Sequence, residues 1–159
     1  MSLTRRISSQ TITRPGNTTA YQDTDLVANS ATAGSVTPFV WEANNMAEQR
    51  IVSAIVTKST ATTTNGSFRL WLFSETKAVT NGDNSAIAPT TMTGFLGTLS
   101  GSTTLAGTAG ARTALAVDVQ GEIWPNCGKI WGLLEAKAAY GPGSEETFSI
   151  ELVLASYGR

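Results

Sequence analysis

Thr147-Phe148-Ser149-Ile150-Glu151-Leu152-Val153-Leu154-Ala155 is the cleanest alternation in this sequence. Phe148, Ile150, Leu152 and Leu154 share one parity, against Thr147, Ser149, Glu151 and Val153 on the other. Successive side chains of an extended chain point to opposite faces, so the pattern predicts a half-buried β-strand.

Upstream, Lys129–Ala139 contains Leu133-Leu134-Glu135-Ala136-Lys137-Ala138, which a helix would also accommodate. Its flanks, Trp124-Pro125, Gly128 and Gly141-Pro142-Gly143, favour a long buried strand. Arg112–Val119 groups Leu115, Val117 and Val119, and Gly101–Gly110 before it is a loop of small residues. Phe95–Leu99 is a further strand candidate. Ser67–Phe73 sets Phe68, Leu70 and Leu72 against Arg69, Trp71 and Phe73, and Asn65-Gly66 just before it signals a hairpin. Ser59–Thr64 fits either strand or loop. Arg50–Lys58 is apolar on both faces, with Ile51, Ser53, Ile55 and Thr57 opposing Val52, Ala54 and Val56, so it belongs at the centre of a sheet. Val36–Trp41 carries Pro38 and suits an edge or an entry position. Ala86–Met92 holds at most one helical turn, limited by Pro89 and its threonines.

About eight short strands separated by turn clusters predict an all-β fold, an antiparallel jelly roll or β-sandwich. Residues 20–159 form that single domain. Residues 1–19 are polar, with Leu3, Ile7 and Ile12 as their main apolar side chains. They are expected as an extended N-terminal arm, set off by Arg14-Pro15-Gly16-Asn17.

Composition supports the same class. Serine and threonine number 39 of 159 residues, which favours strands and turns over long helices. Histidine is absent, which removes histidine-based acid–base and triad chemistry and most catalytic zinc sites. The single cysteine, Cys127, excludes an intrachain disulfide and has only Lys129 as a nearby cation, so it is expected to be inert. A net charge of −1 gives no basic face for nucleic acid. Paired Arg5-Arg6 precede no apolar stretch of export-signal length, and no segment has the continuous apolar length of a membrane span. No cofactor is expected.

Individual polar clusters have ordinary explanations. Glu145-Glu146 reads as a solvated turn, since adjacent strand residues face opposite ways. Asp23-x-Asp25 and Asn81-Gly82-Asp83-Asn84 lack the spacing of a calcium loop and read as turns, so no metal is expected. Trp41, Trp71, Trp124 and Trp131, with Tyr21, Tyr140 and Tyr157, suit a core or subunit interface better than a sugar platform. Arg5, Arg6 and Arg14 are the only cluster of positive charge and suit either acidic groups on a protein partner or the solubility of a disordered terminus.

Several stretches together resemble one family. They are Thr13-Arg14-Pro15 with Thr19-Ala20-Tyr21 and Asp25, then Lys58-Ser59 through Thr62-Thr63-Thr64-Asn65-Gly66-Ser67-Phe68-Arg69-Leu70-Trp71-Leu72-Phe73. Gly132-Leu133-Leu134-Glu135-Ala136-Lys137-Ala138-Ala139-Tyr140, followed by Pro142, Ser144, Glu146 and Phe148, completes the set. In order, over about Thr13 to Leu154, the chain resembles the head decoration, or cement, proteins of tailed bacteriophages; Ala78 to Ala111 matches less well. The resemblance implies a jelly-roll domain that sits as a homotrimer on the outer capsid and bridges neighbouring subunits of the major capsid protein. It implies no catalytic activity and a place in the virion; partner contacts are expected at Arg5, Arg6 and Arg14 from their charge, and at Tyr21 and Asp25 within the resembling stretch. Two rivals share the fold class. One is a carbohydrate- or receptor-binding module of a phage tail or fibre. The other is a glycosidase, for which the acidic residues are too scattered.

Overall fold

The computed structural model describes residues 2–8, 10–43, 49–61, 66–102, 105–107, 110–118 and 122–157. The chain extends into strands β1 (Ser2–Ser8), β2 (Ile12–Thr13), β3 (Leu26–Val27), β4 (Phe39–Glu42), β5 (Gln49–Lys58) and β6 (Ser67–Phe73), with apolar–polar alternation clearest in β6. Then come β7 (Phe95–Ser102), β8 (Leu105–Gly107), β9 (Gly110–Val117), β10 (Lys129–Ala136) and β11 (Thr147–Tyr157). Among the described residues there is no α-helix, only a single 3₁₀ turn at Ala33–Ser35. The fold is all-β.

Every strand pairing is antiparallel. The longer strands nest from the ends of the chain inwards. The first lies beside the last (β1 on β11), β4 beside β10, β5 beside β9, and β6 beside β7. Further pairings of β11 with β5, β9 with β7 and β6 with β10 join these couples into one sheet. The sheet curls until β1 returns to the neighbourhood of β4. Its inner surface carries one core, including Phe68, Leu70 and Leu72 of β6 and Phe148, Ile150, Leu152 and Leu154 of β11. The curl is fastened across the interior, where the Trp41 indole N–H donates to the Ile150 carbonyl at 3.2 Å. Gly132 makes room for that ring, since a Cβ there would lie 2.6 Å from it. A smaller cluster of Leu26, Ala28, Phe73, Val79 and Leu133 packs on the outer side.

Four local expectations are corrected. Residues 1–19 are not an arm outside the domain. Ser2–Ser8 pair residue for residue with the edge of β11, and Ile7 and Ile12 are buried in the core. An exposed strand edge is a row of unmet hydrogen-bonding groups, and this segment meets them. The hairpin signal at Asn65-Gly66 fails because β5 and β6 are not neighbours, and Asn65 with Thr62–Thr64 lies outside the described residues. Ala86–Met92 holds no helical turn; Ala86 and Pro89 bridge to Asp25 and Val79 instead. Strict alternation also misassigned Ile51. The register slips where β5 meets Val153 and Leu154, a bulge that returns Ile51 to the same buried side as Ala54 and Val56.

Candidate functional site

Four strand ends and loops converge at one end of the curled sheet. Arg14 follows β2, Lys58 closes β5, Asp83 sits in the 81–84 turn, and Glu146 immediately precedes β11. Tyr21 and Tyr140 form an isolated bridge, with Tyr21 N–H donating to the Tyr140 carbonyl at 2.8 Å and Tyr140 N–H to that of Tyr21 at 3.1 Å. All six residues are buried.

The six side chains make two matching triads. In the first, Arg14 Nε donates to the Tyr21 hydroxyl at 2.9 Å, and that hydroxyl donates to Asp83 Oδ1 at 2.6 Å. Arg14 Nη2 closes the triangle on Asp83 Oδ2 at 3.3 Å. In the second, Lys58 Nζ donates to the Tyr140 hydroxyl at 2.9 Å, which donates to Glu146 at 2.6 Å, and Lys58 lies 3.3 Å from Glu146 Oε1. Each cation also sits over its own ring, Arg14 at 5.2 Å from the Tyr21 centroid and Lys58 at 4.9 Å from that of Tyr140. The two phenol rings stack within 4° of parallel, 6.2 Å apart.

Burial of four charges is tolerable only if every donor and acceptor is met. The remaining Arg14 donors go to Asn17 Oδ1 at 3.1 Å, the Asn17 carbonyl, and the Gly143 carbonyl at 3.2 Å. Asp83 Oδ1 also accepts the Ala28 N–H at 2.9 Å. Lys58 donates to the Thr60 carbonyl at 3.1 Å, and the Thr60 hydroxyl donates to Glu146.

Electrostatics follow from this burial. Desolvation, then the Asp83 charge, holds the Tyr21 phenol above its ordinary range, and burial with Glu146 does the same to Tyr140. Burial also pushes Lys58 down, partly offset by Glu146, and pushes Asp83 up against its hydrogen bonds from Ala28, Tyr21 and Arg14. The charges cancel within each triad, and both phenols are held as hydrogen-bond donors rather than as phenolate. The arrangement ties the chain after β2 to the 81–84 turn, to the end of β5 and to the loop that precedes β11.

These placements revise the sequence-level sites. Arg14 and Tyr21 are spent inside the molecule and are not presented to a partner. Asp25 caps a turn, accepting the Gln22 N–H at 2.7 Å. Arg5 is exposed, and the Arg6 side chain lies outside the described residues. Glu146 is not solvated: only Glu145 is, in a left-handed conformation with φ 54°. Asp83 is a buried ion-pair partner rather than a turn residue alone. Trp41 is buried, Trp124 exposed, and Trp71 and Trp131 lie between; the Tyr157 side chain lies outside the described residues. Cys127 is half-buried, its thiol pushed up by burial.

The sequence matches no protein-family model, and no curated protein matches it.

Proposed function

We propose that this chain is a structural virion protein that decorates a tailed-phage head and bridges subunits of the major capsid protein as a homotrimer. The observation that carries the proposal is where the family-like residues fall. Arg14, Tyr21, Lys58, Tyr140 and Glu146, dispersed over most of the chain, meet in one buried lock. Such residues fit a protein whose task is to hold shape under load. The strand order supports a jelly-roll interpretation of the curled sheet: eight strands nest first with last and fourth with fifth, as a folded-over hairpin does. Exposed Met92, Phe95 and Trp124 supply apolar area for contacts between subunits. Many modest contacts repeated over a shell act together through effective concentration.

The test is co-sedimentation of the purified protein with heads of its phage that lack it. Saturable binding with coat-protein stoichiometry supports the proposal. Failure to bind heads that accept protein from a virion extract contradicts it.

A further inference from the structure

A groove of about 310 Å³ opens on the outer face of the sheet, away from the buried lock. It is lined by Ser67 and Arg69 of β6, Ser100 and Ser102 of β7, and Lys137 just beyond β10. Register builds it. Ser67 stands opposite Ser102 and Arg69 opposite Ser100, and the Lys137 N–H donates to the Ser67 carbonyl at 2.9 Å. The Ser67 and Ser102 hydroxyls are 2.7 Å apart.

The two cations are held side by side from below. Glu135 is 1% exposed, accepts the Trp71 indole N–H at 2.6 Å, and lies 3.7 Å from Arg69 Nη1 and 3.4 Å from Lys137 Nζ. Arg69 Nε also reaches the Ser100 hydroxyl at 3.3 Å and Asp118 at 3.5 Å. None of these is a short contact, so a guanidinium with five donors is left under-used. Lys137 has one close partner, Asp23 at 2.7 Å, on a carboxylate that is 61% exposed. The acids therefore lie beneath or beside the groove, while its lining offers two cations and three hydroxyls.

That lining selects a ligand class. A guanidinium beside an ammonium takes a carboxylate, and serine hydroxyls both donate to and accept from ring hydroxyls. The groove lies on a sheet face, where side chains are presented rather than the backbone edge that an extended peptide would need. We propose that it binds a hexuronate unit of an acidic polysaccharide, with the sugar carboxylate on Arg69 and Lys137 and the ring hydroxyls on Ser67, Ser100 and Ser102. Asp23 occupies Lys137 in the free protein and is the group the sugar carboxylate displaces. The inference is independent of capsid attachment.

The test is a calorimetric titration of the full-length protein with galacturonate trisaccharide, alongside a neutral glucose trisaccharide and glutamate trimer. Uronate binding is expected, with neither control binding comparably. Arg69→Gln and Lys137→Gln should each weaken it about tenfold, the scale of losing one charged hydrogen-bond partner. Asp23→Asn should tighten it severalfold, a gain that misfolding cannot produce. No uronate binding at millimolar concentration overturns the proposal. Equal binding of the neutral sugar, equal binding of the peptide, or an Asp23→Asn variant that binds no better does so too.

Discussion

At the scale of single residues, the lock separates positions that look alike in sequence. Asp83→Ala leaves the Arg14 guanidinium buried without its counter-ion and should cost about 3–5 kcal/mol in chemical denaturation, as breaking buried pairs does. Glu145→Ala, on an exposed side chain next to the equally acidic but buried Glu146, should stay within about 0.5 kcal/mol. Equal costs would mean the triads are misplaced. The tyrosines give a pH test. Both folded phenols titrate above the ordinary value of 10.0, so below that pH both states keep the proton and nothing is lost. Above it, the unfolded chain ionises while the folded one does not, and stability falls by about 1.4 kcal/mol per pH unit for each tyrosine. Lys58 acts with the opposite sign, because its folded value is depressed. Its contribution rises with pH only up to its ordinary 10.5 and is level beyond. Lys137, held up by its Asp23 partner, and Cys127, held up by burial, add falls of the same sign above their ordinary 10.5 and 9.0, so the tyrosine share is the part that Tyr140→Phe removes. Absorbance titration should find two of the three tyrosines silent until the protein unfolds, and Tyr140→Phe should shallow the alkaline fall in melting temperature. Ordinary titration of all three near pH 10 would contradict the triads.

At the scale of elements, most strands were legible because one face of each is buried. β6, β10 and β11 appear where alternation and flanking glycines put them. Three failures have physical causes. The bulge in β5 inverts parity, which no local pattern reports. Asn65-Gly66 satisfies hairpin chemistry, yet the nested topology sends β6 to a different neighbour. β1 is polar because it is an edge strand paired on one side, so composition made it look like an arm. One signal in the sequence marks the lock. Arg14 continues the inward parity of Ile12, Lys58 that of Ala54 and Val56, and Glu146 that of Phe148, so each charged residue sits one inward step beyond a strand's apolar run. Nothing local marks Asp83 as their partner, because it arrives from a turn 69 residues away from Arg14. The placement of β1 and β2 predicts that removing residues 1–13 uncovers the β11 edge and empties the Ile7 and Ile12 sites. A loss of at least about 2–5 kcal/mol is expected, the scale of one truncated buried aliphatic. An unchanged denaturation midpoint would restore the arm.

At the scale of the whole molecule, one curled sheet encloses one core, and its closing devices span the chain. Trp41 reaches Ile150 through the interior, and the twin triads with the Tyr21–Tyr140 bridge hold the segment that follows β2 to the 81–84 turn, the end of β5 and the loop before β11. Ties of this kind hold a shape in place, and this links the geometry to the proposed role on a phage head. The most direct measurement is the copy number of this chain in purified virions of the phage that the proposal requires, by quantitative mass spectrometry against the major coat protein. The account predicts a fixed ratio of the same order as the coat protein, falling when heads are washed to remove outer decoration. A handful of copies per particle, or none, would contradict it and move the chain to the tail or out of the virion.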